Sequence, residues 1–370
     1  MSSRPSRLAM AAPQPLASPH SGPARFVRRC AMLALAGLAS ARVLAVPVTE
    51  FYAYPIDPEL GPALVNSIAS NDLMTGEDST NHGFVMRLRK PAQPIPLPPG
   101  FMNVLGYSIN AMGQITGVGE TTVNGHLRVH AFWADWKKGE AFDVPPIAGR
   151  ESQGFAINAS GQMAGVTEGG AHFFNHAFIA DAKGRHLRDL GSLSGPSGFS
   201  NAAAINSRAE VAGSSTNVDG QIHAFLSGPD GGTLVDLGTP PDGVQSNAYG
   251  MNDLGVVVGT WNKADGFLHG FITGPDGASM SDLGQFDGRP TAPLAVNADG
   301  NVVGRADVAG GKVDAFVTGD QGAGFTDLNA ITHNLPTRLI TAVAINDLGH
   351  IVAWGKDGFS YVLCPTPHCR

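Results

Sequence analysis

Imidazole and carboxylate groups recur periodically along this 370-residue chain, and both can do chemistry. His82, His130, His176, His223 and His269 each open a His-Ala-Phe or His-Gly-Phe triplet, and Asp189, Asp236, Asp282 and Asp327 each open an Asp-Leu-Gly or Asp-Leu-Asn phrase. If they converged, these groups would offer a metal site or a general acid–base pair. The recurrence points the other way. Equivalent positions of successive repeats lie side by side around a fold, so each histidine is expected to make the same local hydrogen bond in its own repeat. Each aspartate is expected to accept from backbone amides of the following turn. No metal and no cofactor is expected.

Residues that differ between copies are the better candidates. Glu120, Asp219, Asp265 and Asp307 fall in the variable loops that join the second strand of a unit to the third and, facing one another, would supply the carboxylate pair that cleaves glycosidic bonds. Trp261 reads either as a sugar-stacking platform or as a loop anchor. Arg150, Arg289 and Arg338, with Arg305, offer guanidinium groups to an anion, against the alternative of solvated surface charge. Asn217-Val218-Asp219-Gly220 is similar to a calcium loop but lacks the further acidic ligands and the distal glutamate. There is no Gly-x-Ser-x-Gly elbow, no His-Glu-x-x-His and no phosphate-binding glycine loop before a helix.

The elements that must hold these residues are set by an asparagine that returns at Asn110, Asn158, Asn206, Asn252, Asn297 and Asn346, at spacings of 48, 48, 46, 45 and 49 residues. Each follows an apolar residue, and a seventh, eroded copy places Ile68 and Ala69 first. Such a period marks a repeat architecture. Asn158-Ala159-Ser160-Gly161 and its equivalents predict a tight turn between antiparallel strands, with glycine where φ turns positive. Ala209 stands at that glycine place in Ala204-Ile205-Asn206, at a cost of about 1 kcal/mol if it goes left-handed. Beyond a later glycine (Gly117, Gly165, Gly213, Gly259, Gly304) comes a loop, then the His-Ala-Phe run, then the Asp-Leu-Gly run.

Four short strands per unit of about 45 residues predict a seven-bladed β-propeller. A β-solenoid or stacked sandwiches fit the unit length less well. The units fall near 62–97, 103–146, 151–191, 198–238, 244–284, 290–329 and 339–363. The last is one strand short, and residues 50–57 are expected to supply that strand, closing the ring and hiding two edges. On this reading the Asn-x-x-Gly turns share one face. The opposite face carries the variable loops, where binding sites tend to be placed. The linked phrases Ala-Ile-Asn-x-x-Gly, His-Ala-Phe and Asp-Leu-Gly resemble the bacterial HAF-repeat family of extracellular proteins over residues 48–363. That resemblance implies export and supplies no catalytic residues. Asp314 stands where the triplet has histidine, and Gly83 and Gly270 where it has alanine.

Residues 1–45 carry six arginines and no acid, with the apolar run Ala31-Met32-Leu33-Ala34-Leu35-Ala36-Gly37-Leu38, and read as a signal peptide. The run is short for a membrane span, so membrane association is expected only if the leader is retained. Arg28-Arg29 is a weak twin-arginine signal. Cleavage after Ala45 takes the net charge from −7 to −13, which disfavours nucleic acid as a partner. Cys364 and Cys369 remain in a tail at 364–370. A small disulfide loop is expected there, in preference to a metal clip with His368. The expectation is an exported, monomeric, noncatalytic propeller that binds an extracellular protein or glycan. The alternative is a propeller hydrolase or lyase acting on polysaccharide.

Overall fold

The computed structural model describes residues 50–370 except 57, 170–173, 264–265, 368 and 370, so the leader, Asp265 and His368 lie outside the described residues. Seven antiparallel sheets follow one another in a ring. In blade 3, for example, the strands are Ser152–Ile157, Met163–Gly169, Phe174–Asp181 and Arg185–Asp189, paired in that order from the axis outward. The eroded first copy also makes a full blade. Its proline-rich segment reduces the outer strand to Gln93–Pro94, as expected of residues that cannot donate to a ladder.

Blade 7 closes as the strand count requires. Phe51–Pro55 pairs antiparallel with Ser360–Cys364 as its fourth strand, in the register Tyr52 to Cys364 and Pro55 to Tyr361. A fifth strand was not legible. After the short outer strand Thr326–Asp327 of blade 6, a four-residue helix, Leu328–Ile331, leads into Thr332–His333, which adds parallel to Phe51 and Tyr52. It covers the edge that the closing strand would otherwise expose.

The core lies between the blades. Phe132, Phe178, Phe225, Phe271 and Phe316 of the triplets are fully buried, each contributing roughly 2–3 kcal/mol of apolar burial. The turn asparagines add a polar layer. In blade 3 the Asn158 side-chain carbonyl accepts from the amides of Ser160 and Gln162, at 3.1 and 3.0 Å, while its Nδ2 donates to the Asn206 carbonyl of the next blade at 3.0 Å. Asn110 does the same to Asn158, Asn252 to Asn297, and Asn346 to Ala69 across the closing seam. Ala209 does adopt φ +57°, so blade 4 carries the strain that its sequence implied.

One glycine position follows from this geometry. Each inner strand shifts register by one residue three places before its turn asparagine, and the bulge drives a backbone carbonyl toward the second strand. A Cβ on Gly165 would stand 1.9 Å from the Gln153 oxygen, and one on Gly117 would stand 1.9 Å from the Leu105 oxygen. The later glycine of the repeat is therefore there to let the bulge form.

Candidate functional site: the axial bulge ring

The histidines and aspartates form pairs inside single blades. Nδ1 of His130 lies 3.0 Å from Asp143, that of His176 2.8 Å from Asp189, that of His223 2.8 Å from Asp236 and that of His269 3.4 Å from Asp282. The aspartates also accept from the amides of Gly191, Gly238 and Gly284, as expected of turn-forming carboxylates. His82 departs from the pattern. It is exposed and bonds Thr80. A further bracket is equally periodic in the sequence. Ser152, Ser200, Ser246 and Thr291, each six residues before a turn asparagine, accept from the triplet's second amide in the preceding blade and donate to a carbonyl at the end of its fourth strand. Imidazole, carboxylate and hydroxyl thus serve blade closure and blade-to-blade docking.

The residues expected on the variable face are dispersed. Strand pairing runs further than the glycine pattern suggests, so Glu120 lies within Gln114–Val123, Trp261 within Val257–Lys263, and Arg305 and Asp307 within Val302–Val308. Trp261 is a correction. It is 2% exposed and packs with Ala224, Leu226, Ala248 and Phe271, with His269 at 4.9 Å and the Lys263 ammonium over its ring, so it anchors the blade and offers no open platform. Its indole nitrogen and His269 Nδ1 are buried without hydrogen-bond partners among the described residues.

Arg338 is a second correction. Its guanidinium grips the buried carboxylate of Asp314 with two nitrogens, and Asn329 donates to the same carboxylate at 3.3 Å. Aspartate in the histidine's place has recruited an arginine as partner, and that arginine is committed to it. Arg150 and Arg289 are exposed in the connections between blades, with the Arg150 amide held by the Glu168 carboxylate. Asp219 is exposed at the tip of a blade 4 hairpin, where its amide bonds Asn217, and Asp307 is exposed on blade 6. Cys364 and Cys369 form the disulfide that the tail implied.

What the structure does gather is the bulged residue of each inner strand. In every blade one bulge falls three residues before the turn position, at Asn66, Tyr107, Phe155, Ala203, Tyr249, Leu294 and Val343, and blades 2, 5 and 7 carry a second register shift nearer the start of the strand. A bulge re-aims its side chain, and each of these sits on the innermost strand of its blade, the strand nearest the ring opening. All seven are half-buried. Asn66, Tyr107 and Phe155 form a continuous arc on blades 1 to 3. Asn66 donates to the Gly106 carbonyl at 3.0 Å, and the Tyr107 and Phe155 rings stack at 6.0 Å with 16° between planes. Burial, with the Glu77 carboxylate nearby, pushes the Tyr107 phenol up to about 12. Burial also raises Tyr249, against the Thr260 hydrogen bond and the Arg305 charge that favour its anion. Both phenols are therefore neutral at physiological pH. Together these groups present flat aromatic faces, phenol hydroxyls and one amide, which suits stacking and hydrogen bonding to a ligand. The signal lay in plain view, because this is the position just before the Ala-Ile-Asn phrase, and its side chain changes chemistry from blade to blade.

With seven four-stranded blades around an axis, the chain is a seven-bladed β-propeller. No protein-family model matches its sequence, and no curated protein does. Solved structures are similar in fold. YCF48 bound to D1 peptide aligns at 10% identity over 85% of this chain and 97% of that one, with a TM-score of 0.51. A puromycin-hydrolyzing peptidase of Mycobacterium tuberculosis aligns at 13% identity over 76% of this chain and 48% of that one, also with a TM-score of 0.51. TolB from Acinetobacter baumannii aligns at 12% over 60% and 54%, with a TM-score of 0.42. The chain thus spans about half the length of the peptidase and of TolB. At these identities the likeness shows the fold alone.

Proposed function

We propose that this chain is an exported HAF-repeat propeller that binds, without catalysis, a glycan or an extended segment of an extracellular protein at its axial opening. The observation that supports this reading most directly is the arc of Asn66, Tyr107 and Phe155, together with Tyr249, on the innermost strands. Rigid inner strands hold these side chains in place, so little side-chain order remains to be lost on binding. The groups that would have suggested catalysis are engaged elsewhere. His176 is buried against Asp189 and the Gly198 carbonyl, and the other paired histidines serve their own blades. Export is supported by the arginine-rich leader and by the disulfide in the tail.

The test is a glycan array and a peptide array probed with purified protein, followed by calorimetry on whatever is retained. Tyr107→Ala combined with Phe155→Ala is expected to weaken binding about 10-fold or more, at a stacking contribution of roughly 1–1.5 kcal/mol per ring. Asp219→Ala is expected to leave it unchanged. Cleavage of a retained polysaccharide, lost in Asp219→Ala and Asp307→Ala, would establish the hydrolase or lyase in its place.

A further inference from the structure

The seam where the ring closes brings together soft donor groups that neither the repeat nor the axial site uses. His350 follows the turn of blade 7 and is 7% exposed. Its Nδ1 lies 2.8 Å from Asp72 Oδ1 in the first turn of blade 1, 278 residues away in sequence. Asn346 Nδ2 donates to the same oxygen at 2.9 Å, so the carboxylate is fixed from two sides. With Nδ1 committed, Nε2 remains for a ligand. One donor atom from each of His350, Cys364 and Cys369 lies within 4.8 Å of the others. A cavity of about 130 Å³ adjoins them, lined by Asp72, Met74, Arg87, His350 and Cys369 among others.

We propose that reducing the Cys364–Cys369 disulfide opens a Zn(II) site in which the two thiolates and His350 Nε2 bind the metal and Asp72 orients the imidazole. Zinc holds thiolates at about 2.3 Å and imidazole at about 2.0 Å in a tetrahedron, which places neighbouring donor atoms about 3.5–4 Å apart. The present spread is within a small side-chain adjustment of that. A carboxylate on the far nitrogen of a ligating histidine fixes its tautomer and raises its basicity. Two thiolates cancel the charge of one Zn(II), and the cavity leaves room for a fourth ligand such as water.

The chemistry balances with a dithiol as reductant. The dithiol gives two electrons and two protons to the Cys364–Cys369 bond and becomes a disulfide, and metal binding then releases the two thiol protons. In the oxidised form the sulfurs are bonded to each other and cannot act as thiolates, so the disulfide and the metal are alternative clasps for one seam. His350 is a ligand in this site and Asp72 a positioning residue.

The test uses the full chain carrying Cys30→Ser, so that only the tail thiols remain. The protein is reduced with a dithiol, freed of it without oxygen, and titrated with Co(II) and then Zn(II). Intense near-ultraviolet thiolate-to-cobalt absorption and one equivalent of zinc per chain are expected, with none in the oxidised or alkylated protein. His350→Gln is expected to weaken zinc binding at least 10-fold. Asp72→Asn, which keeps a side chain suited to the left-handed φ of +62°, is expected to weaken it about 10-fold and to alter the cobalt spectrum. Circular dichroism confirms that each variant is folded. Equal zinc affinity in the oxidised protein, or wild-type affinity in folded His350→Gln, would overturn the proposal.

Discussion

Replacing Asn158 by alanine tests the load that the turn asparagine carries. The side chain is 4% exposed and makes four hydrogen bonds, two as acceptor from the Ser160 and Gln162 amides and two as donor to the Asn206 carbonyl and Gln162 Oε1. Truncation leaves three backbone groups to find other partners in a crowded turn. At about 1 kcal/mol for each bond lost, the expected cost is about 3–4 kcal/mol, a large part of the stability of an ordinary domain. Asn158→Asp divides the sum. It keeps both acceptor contacts but loses the donor contact to Gln162 within the turn and the one to Asn206 across the blades, and turns a carboxylate toward the Asn206 carbonyl, so a cost of about 2–3 kcal/mol is expected from the donor half. Ser160→Ala, at an exposed position of the same turn, serves as the control and should be near neutral. Equilibrium guanidinium unfolding reads all three. If Asn158→Ala lies within about 1 kcal/mol of the parent, the asparagine closes a turn that water could satisfy equally well, and the reasoning about a clamp fails.

Two further outcomes follow from contacts in other blades. Arg338→Ala leaves the buried Asp314 carboxylate without its guanidinium, and because the arginine is itself partly exposed the expected loss is about 2 kcal/mol; removing both side chains should recover more than half of that, read by thermal unfolding of the single and double variants. Tyr107 is an acid whose folded value, about 12, lies above its ordinary 10. Its contribution of at most about 3 kcal/mol is therefore complete below pH 10 and is lost as pH rises from 10 to 12. Unfolding across that interval should decline less steeply in Tyr107→Phe than in the parent. Equal slopes would show that the phenol is not held neutral by its surroundings.

Strand count, ring closure and blade order were legible because each rests on a local rule that repeats: asparagine in the turn, glycine opposite the bulge, phenylalanine between the sheets. The fate of Ala209 could be read from its place alone. Trp261 could not be placed the same way. The residues at its position in neighbouring repeats, Thr167, Ser215 and Ala306, are small, and a lone tryptophan among them reads equally as a ligand platform or as a plug filling a gap between sheets. Only packing separates the two. The axial ring was overlooked for the opposite reason. Asn66, Tyr107, Phe155 and Tyr249 stand immediately before a phrase whose regularity reads as pure scaffolding, and the one-residue register shift that re-aims them leaves no mark in composition. The sequence leaves Arg338 between an anion ligand and solvated charge because its actual partner, Asp314, is 24 residues away and belongs to a different blade.

The closing strand has a kinetic consequence. Phe51–Pro55 is made before any of the seven repeats, and its partner Ser360–Cys364 only after all of them; nearby, the Tyr54 hydroxyl bonds the Pro367 carbonyl 313 residues further on. Contacts of such sequence separation form late and slow the search for the folded state. Until then blade 7 has two open edges, and the earlier blades stand as a curved, unclosed array. Once the last pair zips, opening any one blade strains its neighbours on both sides. Closure therefore makes unfolding slow, and resistance to proteases should appear only when the final strand is in place.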